Sequence, residues 1–83
     1  MYTITNKVYF SQQINKKTVV TTIYANFNRH GQGYVTCGKG TAKCHPNDTF
    51  VYTAGVSLST IRAERDLYNK ISALEEHDFL ENH

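Results

Sequence analysis

One proline divides this chain into two halves with different periods. Before Pro46, apolar and polar residues alternate; after it, apolar residues recur every three or four positions. Alternation marks a strand and a repeat near 3.6 marks a helix. Proline lacks the N–H that a sheet ladder uses, so it closes the sheet. The 83 residues therefore read as one α+β domain, 1–83. It has a small antiparallel three- or four-stranded sheet over 1–53, followed by one long C-terminal helix over 54–83.

The strand half is rich in Val, Ile, Thr, Tyr and Phe, the β-favouring types. Val8, Phe10 and Gln12 alternate with Tyr9, Ser11 and Gln13, and Asn15-Lys16-Lys17 is a polar break of hairpin length. In the second strand Val19, Thr21, Ile23, Ala25 and Phe27 face one way, and Val20, Thr22, Tyr24 and Asn26 the other. Asn28 to Gly33 is a loop with two glycines, and Tyr34 to Cys37 starts a third strand. Gly38-Lys39-Gly40 reads as a tight turn or a bulge, since glycine accepts positive φ. Thr41 to Cys44 then continues that strand or forms a short fourth.

Asn47, Asp48 and Thr49 are helix N-cap types. Phe50-Val51-Tyr52 is β-favouring and Gly55 weakens a helix interior, so the helix is placed from about Ser57 to about Leu80. Leu58, Ile61, Tyr68, Ile71 and Leu74, with Leu67 beside them, form its apolar stripe. Such a helix spans roughly 35 Å, against about 20 Å for ordinary short strands. It should overhang its sheet at Ile71, Leu74 and Phe79. That makes a second copy, in a homodimer or higher oligomer through the long helix, the expected partner.

A formal net charge of +2 is too small to argue for nucleic-acid binding. No apolar run approaches a membrane span. The opening Met1 to Asn6 has no basic stretch followed by an apolar one, which points to the cytoplasm, where Cys37 and Cys44 would stay reduced. Zinc sites want paired ligands two to four residues apart, whereas these cysteines are seven apart, with His30 and His45 unpaired in spacing. The plainer reading is a small apolar Cys44 and a surface His45. No paired acid and base, metal set or cofactor loop stands out, so catalysis, metal and cofactor are not expected. The glycine pairs 31/33 and 38/40 read as turn chemistry before phosphate cradles. Arg62 and Arg65, three apart on the helix, are either a solvated pair among Glu64 and Asp66 or an anion fork.

The run Gly40-x-Ala42-Lys43-Cys44-His45-Pro46-x-Asp48-x-Phe50, with Gly55, Leu58 and Arg62-Ala63 after it, resembles a small domain of phage and mobile-element proteins. Among these it is similar to the first type of phage Thoeris anti-defence sponges. The resemblance covers Gly40 to Arg65. It implies strands followed by helices in oligomers, and capture of a cyclic ADP-ribose signal without cleavage. It also implies ligand-lining roles for Asn47, Asp48, Phe50, Arg62 and Arg65. An aromatic ring would stack on adenine, polar groups would meet ribose hydroxyls, and arginine the pyrophosphate. The expectation is thus a phage-encoded counter-defence protein in the host cytoplasm. The rival is an anti-CRISPR protein whose acidic helix end, Glu75, Glu76, Asp78 and Glu81, meets the basic channel of a Cas nuclease.

Overall fold

The computed structural model describes the backbone of residues 2–82 and the side chains of residues 2–77. Three antiparallel strands, β1 (Thr3–Asn15), β2 (Thr18–Arg29) and β3 (Gln32–Lys43), lie in the order β1-β2-β3. One helix, α1 (Tyr52–Asn82), follows. The α+β arrangement expected from the change of period is therefore the one observed, with three strands and no fourth among the described residues.

β2 alternates as the sequence suggests. Val19, Thr21, Ile23, Ala25 and Phe27 are buried under the helix, while Tyr24, Asn26 and Asn28 are exposed. The β2–β3 connection is tighter than a six-residue loop. Arg29 pairs with Gln32, and His30 and Gly31 take φ of 50° and 79°. Positive φ at both central positions matches the twist of the flanking strands, which is why Gly31 sits there.

The strands run 12 or 13 residues, about 40 Å each, twice the length assumed from ordinary strands. The helix starts at Tyr52, five residues earlier than placed, and its 31 residues span about 46 Å. Ile71 packs against the core of Ile23, Ala25, Ala63 and Leu67, so it lies over the sheet and not beyond it. The overhang thus loses its basis. Phe79, the other residue assigned to it besides Leu74, lies outside the described side chains.

Gly38 and Gly40 make neither turn nor bulge. β3 runs straight through them, paired with Ile23 and Thr21. They let the helix come close. A Cβ on Gly40 would overlap the backbone O of Ser59 and N of Ala63, and one on Gly38 would sit 2.7 Å from Leu67 Cβ. The helix face that meets them is Gly55, Ser59, Ala63, Leu67 and Ile71, one residue in four. Four helix residues advance about 6 Å and two strand residues about 6.6 Å. One helical turn therefore tracks one strand pleat along the whole contact. The apolar stripe expected on the helix is mostly outside: Ile61 and Tyr68 are 56% and 71% exposed.

Candidate functional site

Pro46 turns the chain between β3 and α1, and the corner it makes is built from backbone contacts. Lys17 Nζ donates to Asp48 O at 2.8 Å and to Pro46 O at 3.2 Å. Cys44 N donates to Lys17 O at 2.7 Å, and Asp48 N to His45 O at 3.0 Å. The first hairpin thereby pins the corner. Asn47, Asp48 and Thr49 belong to this turn and do not cap the helix. The first described helical hydrogen bond there runs from Gly55 N to Val51 O.

A cavity of about 220 Å³ opens at this corner. Asp48, Thr49 and Phe50 wall one side, Ala42 to Cys44 another, and Ala54, Gly55 and Leu58 the helix side. Gly55 shapes its floor, since a Cβ there would press on Val19 Cγ2 at 2.8 Å, with Phe50 Cε2 at 3.8 Å. The lining is largely apolar. Lys43 and Asp48 are the charged residues on its border, with the strand alternation burying Ala42 towards the helix and leaving Lys43 exposed, while the Cys44 thiol donates to Asp48 O at 3.7 Å. Chemically this is a mostly apolar recess with polar residues at its rim.

The five residues singled out by the motif do not all meet here. Asp48 and Phe50 line the cavity. Asn47 does not; it is exposed and its backbone N donates to His45 Nδ1 at 3.2 Å. Arg62 lies one turn beyond Leu58, and its guanidinium donates to Thr41 O at 2.7 Å. Arg65 is exposed and lines neither of the two cavities beside the helix. The anion fork of two arginines is therefore not assembled in this chain alone.

Arg62 belongs instead to a ladder that the sequence does not announce. β3 is an edge strand, and its outward backbone groups are met by helix side chains. Arg62 donates to Thr41 O, Asp66 Oδ2 accepts from Lys39 N at 2.9 Å, and Lys70 Nζ donates to Cys37 O at 2.7 Å. Asp66 and Lys70 also pair at 3.2 Å. Three side chains at i, i+4 and i+8 thus stand where a fourth strand would, and protect the edge from pairing with another chain. The Lys39 N–H bond, then the Lys70 hydrogen bond, hold the Asp66 carboxyl below its ordinary value.

Cys37 and Cys44 are free thiols. The chain between them is mostly extended strand, so they lie roughly 20 Å apart, well past disulfide reach. Among the described residues no group of three His, Cys, Asp or Glu side chains gathers as a metal site would require. No helix is long and apolar enough to cross a membrane.

A second cavity of about 370 Å³ separates the helix from β1, between Tyr2, Ile4, Lys7, Glu64, Tyr68 and Ile71. Glu64 bridges it, accepting from Tyr9 Oη and lying 4.0 Å from Lys7 Nζ. No protein-family model matches the chain, and no curated protein and no solved structure matches it.

Proposed function

We propose that this chain is a counter-defence sponge that binds a cyclic ADP-ribose type of signal at the Pro46 corner and holds it without cleaving it. The observation that carries this reading is the corner cavity itself: an apolar recess beside Phe50, with Asp48 at its rim. A base ring would enter beside Phe50, and Asp48 would accept from ribose hydroxyls. At about 220 Å³ the slot is smaller than the ~300–1,000 Å³ of ordinary ligand pockets. A cyclic ADP-ribose type of signal would extend beyond it onto the surface around the corner.

The test is capture. The protein is incubated with cyclic ADP-ribose isomers and cyclic di- and trinucleotides, washed, denatured, and its released ligand identified. The unaltered cyclic nucleotide should be recovered from the wild type and lost with Asp48→Ala. Recovery of nothing from a folded wild type rejects the reading.

One observation favours the rival. All seven acidic residues lie outside the strands, and six of them lie between Glu64 and Glu81 on the helix. An anti-CRISPR inhibitor would offer that acidic helix to the nucleic-acid channel of a Cas nuclease. Of the four acidic positions at its end, Glu75 and Glu76 are exposed, and Asp78 and Glu81 lie outside the described side chains. Charge reversal at Glu75 and Glu76 should then abolish nuclease inhibition and leave nucleotide capture untouched.

A further inference from the structure

The two edges of this sheet are finished differently. Antiparallel pairing turns the backbone N–H and C=O of alternate residues towards one neighbour, and those of the residues between towards the other. On β3 the outward groups include Cys37 O, Lys39 N and Thr41 O, each met by a helix side chain. Their partners on β2 are Tyr24, Thr22 and Val20, whose backbone groups then bond to β1 at Val8, Phe10 and Gln12. The groups that β1 turns outward are therefore those of Lys7, Tyr9, Ser11 and Gln13. Among the described residues no hydrogen bond meets them.

A row of outward N–H and C=O groups specifies its own occupant, because an extended backbone is what matches its spacing. Natural edges are blunted by charges, prolines, bulges or a covering element. The helix ladder covers β3. The pairing of β1 shifts only at Ile4/Asn6 and Gln13/Asn15, and Val8 to Ile14 holds neither charge nor proline. The flanking side chains narrow the choice of strand. Val8 and Phe10, on the side away from the helix, are more than half exposed and suit apolar cross-strand neighbours. Lys7, Tyr9 and Ser11, on the helix side, suit polar ones. Six of the nine basic residues, Lys7, Lys16, Lys17, Arg29, Lys39 and Lys43, lie on the strands or in the first hairpin turn, and no carboxylate does. Glu64 already stands 4.0 Å from Lys7, so an added carboxylate is drawn most to Lys16. A second β1 would bring no carboxylate to either lysine.

We infer that the free edge of β1 takes an extended acidic segment of another protein as a fourth, antiparallel strand. Its apolar residues lie beside Val8 and Phe10, its polar residues beside Lys7, Tyr9 and Ser11, and its acidic N-terminal end meets Lys16. Main-chain hydrogen bonds supply the affinity, and the alternation of side chains with the charge at Lys16 supplies the selectivity. No residue of β1 lines the corner cavity, so the inference does not depend on what the corner binds.

The probe is a capped synthetic peptide as long as the 6–13 stretch, with valine at alternate positions, glutamate and threonine between them, and glutamate nearest its N-terminus. Amide hydrogen exchange of the full chain is followed by NMR with and without it. At a peptide concentration about ten times its dissociation constant, exchange at Lys7, Tyr9, Ser11 and Gln13 should slow about tenfold. Exchange at Val35 and Thr41, on the other edge, should not change. N-Methylation of the peptide's glutamate and threonine residues, whose N–H groups would face β1, should abolish the effect. N-Methylation of its valines, which face solvent, should leave it. Lys16→Glu, a change in an exposed turn, should reverse the preference towards a peptide with lysine in place of glutamate. Four results would each overturn the inference. These are no slowing at the four amides, equal slowing by both methylated peptides, equal slowing of the wild type by the lysine peptide, or slow exchange at those amides without peptide that dilution relieves. The last would put a second copy on the edge.

Discussion

The two outer strands of this sheet meet the helix differently. On β3 lie Gly38, Gly40 and Ala42, met closely by Ser59 and Ala63, while the side away from the helix carries the exposed Val8, Phe10, Tyr24 and Val35. The covered face adds a close backbone approach and buried hydroxyl pairs to the apolar burial of Val19, Ile23, Phe27 and Leu67. Thr21 shows this: fully buried, its hydroxyl bonds Ser59 Oγ and Ser11 Oγ, each at 2.7 Å. Val8, Phe10, Tyr24 and Val35 stay more than half exposed on the side away from the helix.

The hardest way to break this contrast is to give the covered face bulk. Gly40→Ala sets a methyl against the helix backbone at Ser59 and Ala63, and neither atom is the end of a flexible side chain. Overpacking of this kind costs about 3 kcal/mol or more, out of the ~5–10 kcal/mol a small domain holds. Denaturant unfolding should show roughly a third or more of the stability gone. A near-neutral result would mean the helix rides higher than described.

The buried hydroxyls come next. Thr21→Val leaves Ser59 and Ser11 without that partner and should cost about 1–3 kcal/mol. The double variant Thr21→Val with Ser59→Ala should cost less than the two singles summed, because removing both partners avoids an orphaned group. A double-mutant cycle reads this directly, and strict additivity would contradict the described bond.

The edge ladder should show itself in pH. The Asp66 carboxyl is held below its ordinary value of 3.8, so the unfolded chain takes up its proton first as pH falls. The contribution of Asp66 to stability is therefore full above that value and is lost as pH drops below it. Asp66→Asn should be less stable than wild type near neutrality, with the gap narrowing under acid. A gap that grows under acid would reverse the assignment. The smallest effect belongs to Arg65→Ala. Arg65 is exposed and lines neither cavity, so stability should move by no more than about 0.5 kcal/mol and nucleotide capture should persist.

What the sequence disclosed follows the same contrast. The alternation through Val19, Thr21, Ile23, Ala25 and Phe27 was legible because a half-buried strand sorts its residues by polarity. Gly38 and Gly40 were not, because a glycine that makes room for a helix looks the same in sequence as one that makes a turn. For the same reason the helix stripe was legible only in part: Leu67 and Ile71 do meet the core, while Leu58, Ile61 and Tyr68 are exposed. Large residues draw the eye to Leu58, Ile61 and Tyr68, whereas the true contact is the line of Gly55, Ser59 and Ala63. Of the motif residues, Asp48 and Phe50 meet at the cavity because they follow Pro46 within one turn. Arg62 reads as an anion ligand by type, and only the nearness of the Thr41 carbonyl shows what it holds.

The contrast turns on one contact, the helix backbone resting directly on Gly38 and Gly40 of β3. Denaturant unfolding of Gly38→Ala and Gly40→Ala beside Gly33→Ala tests it most directly. The first two should each lose about 3 kcal/mol or more, whereas Gly33, with only the Asn28 side chain near it, should tolerate the change with a much smaller loss. Equal stability of all three variants would contradict the contact.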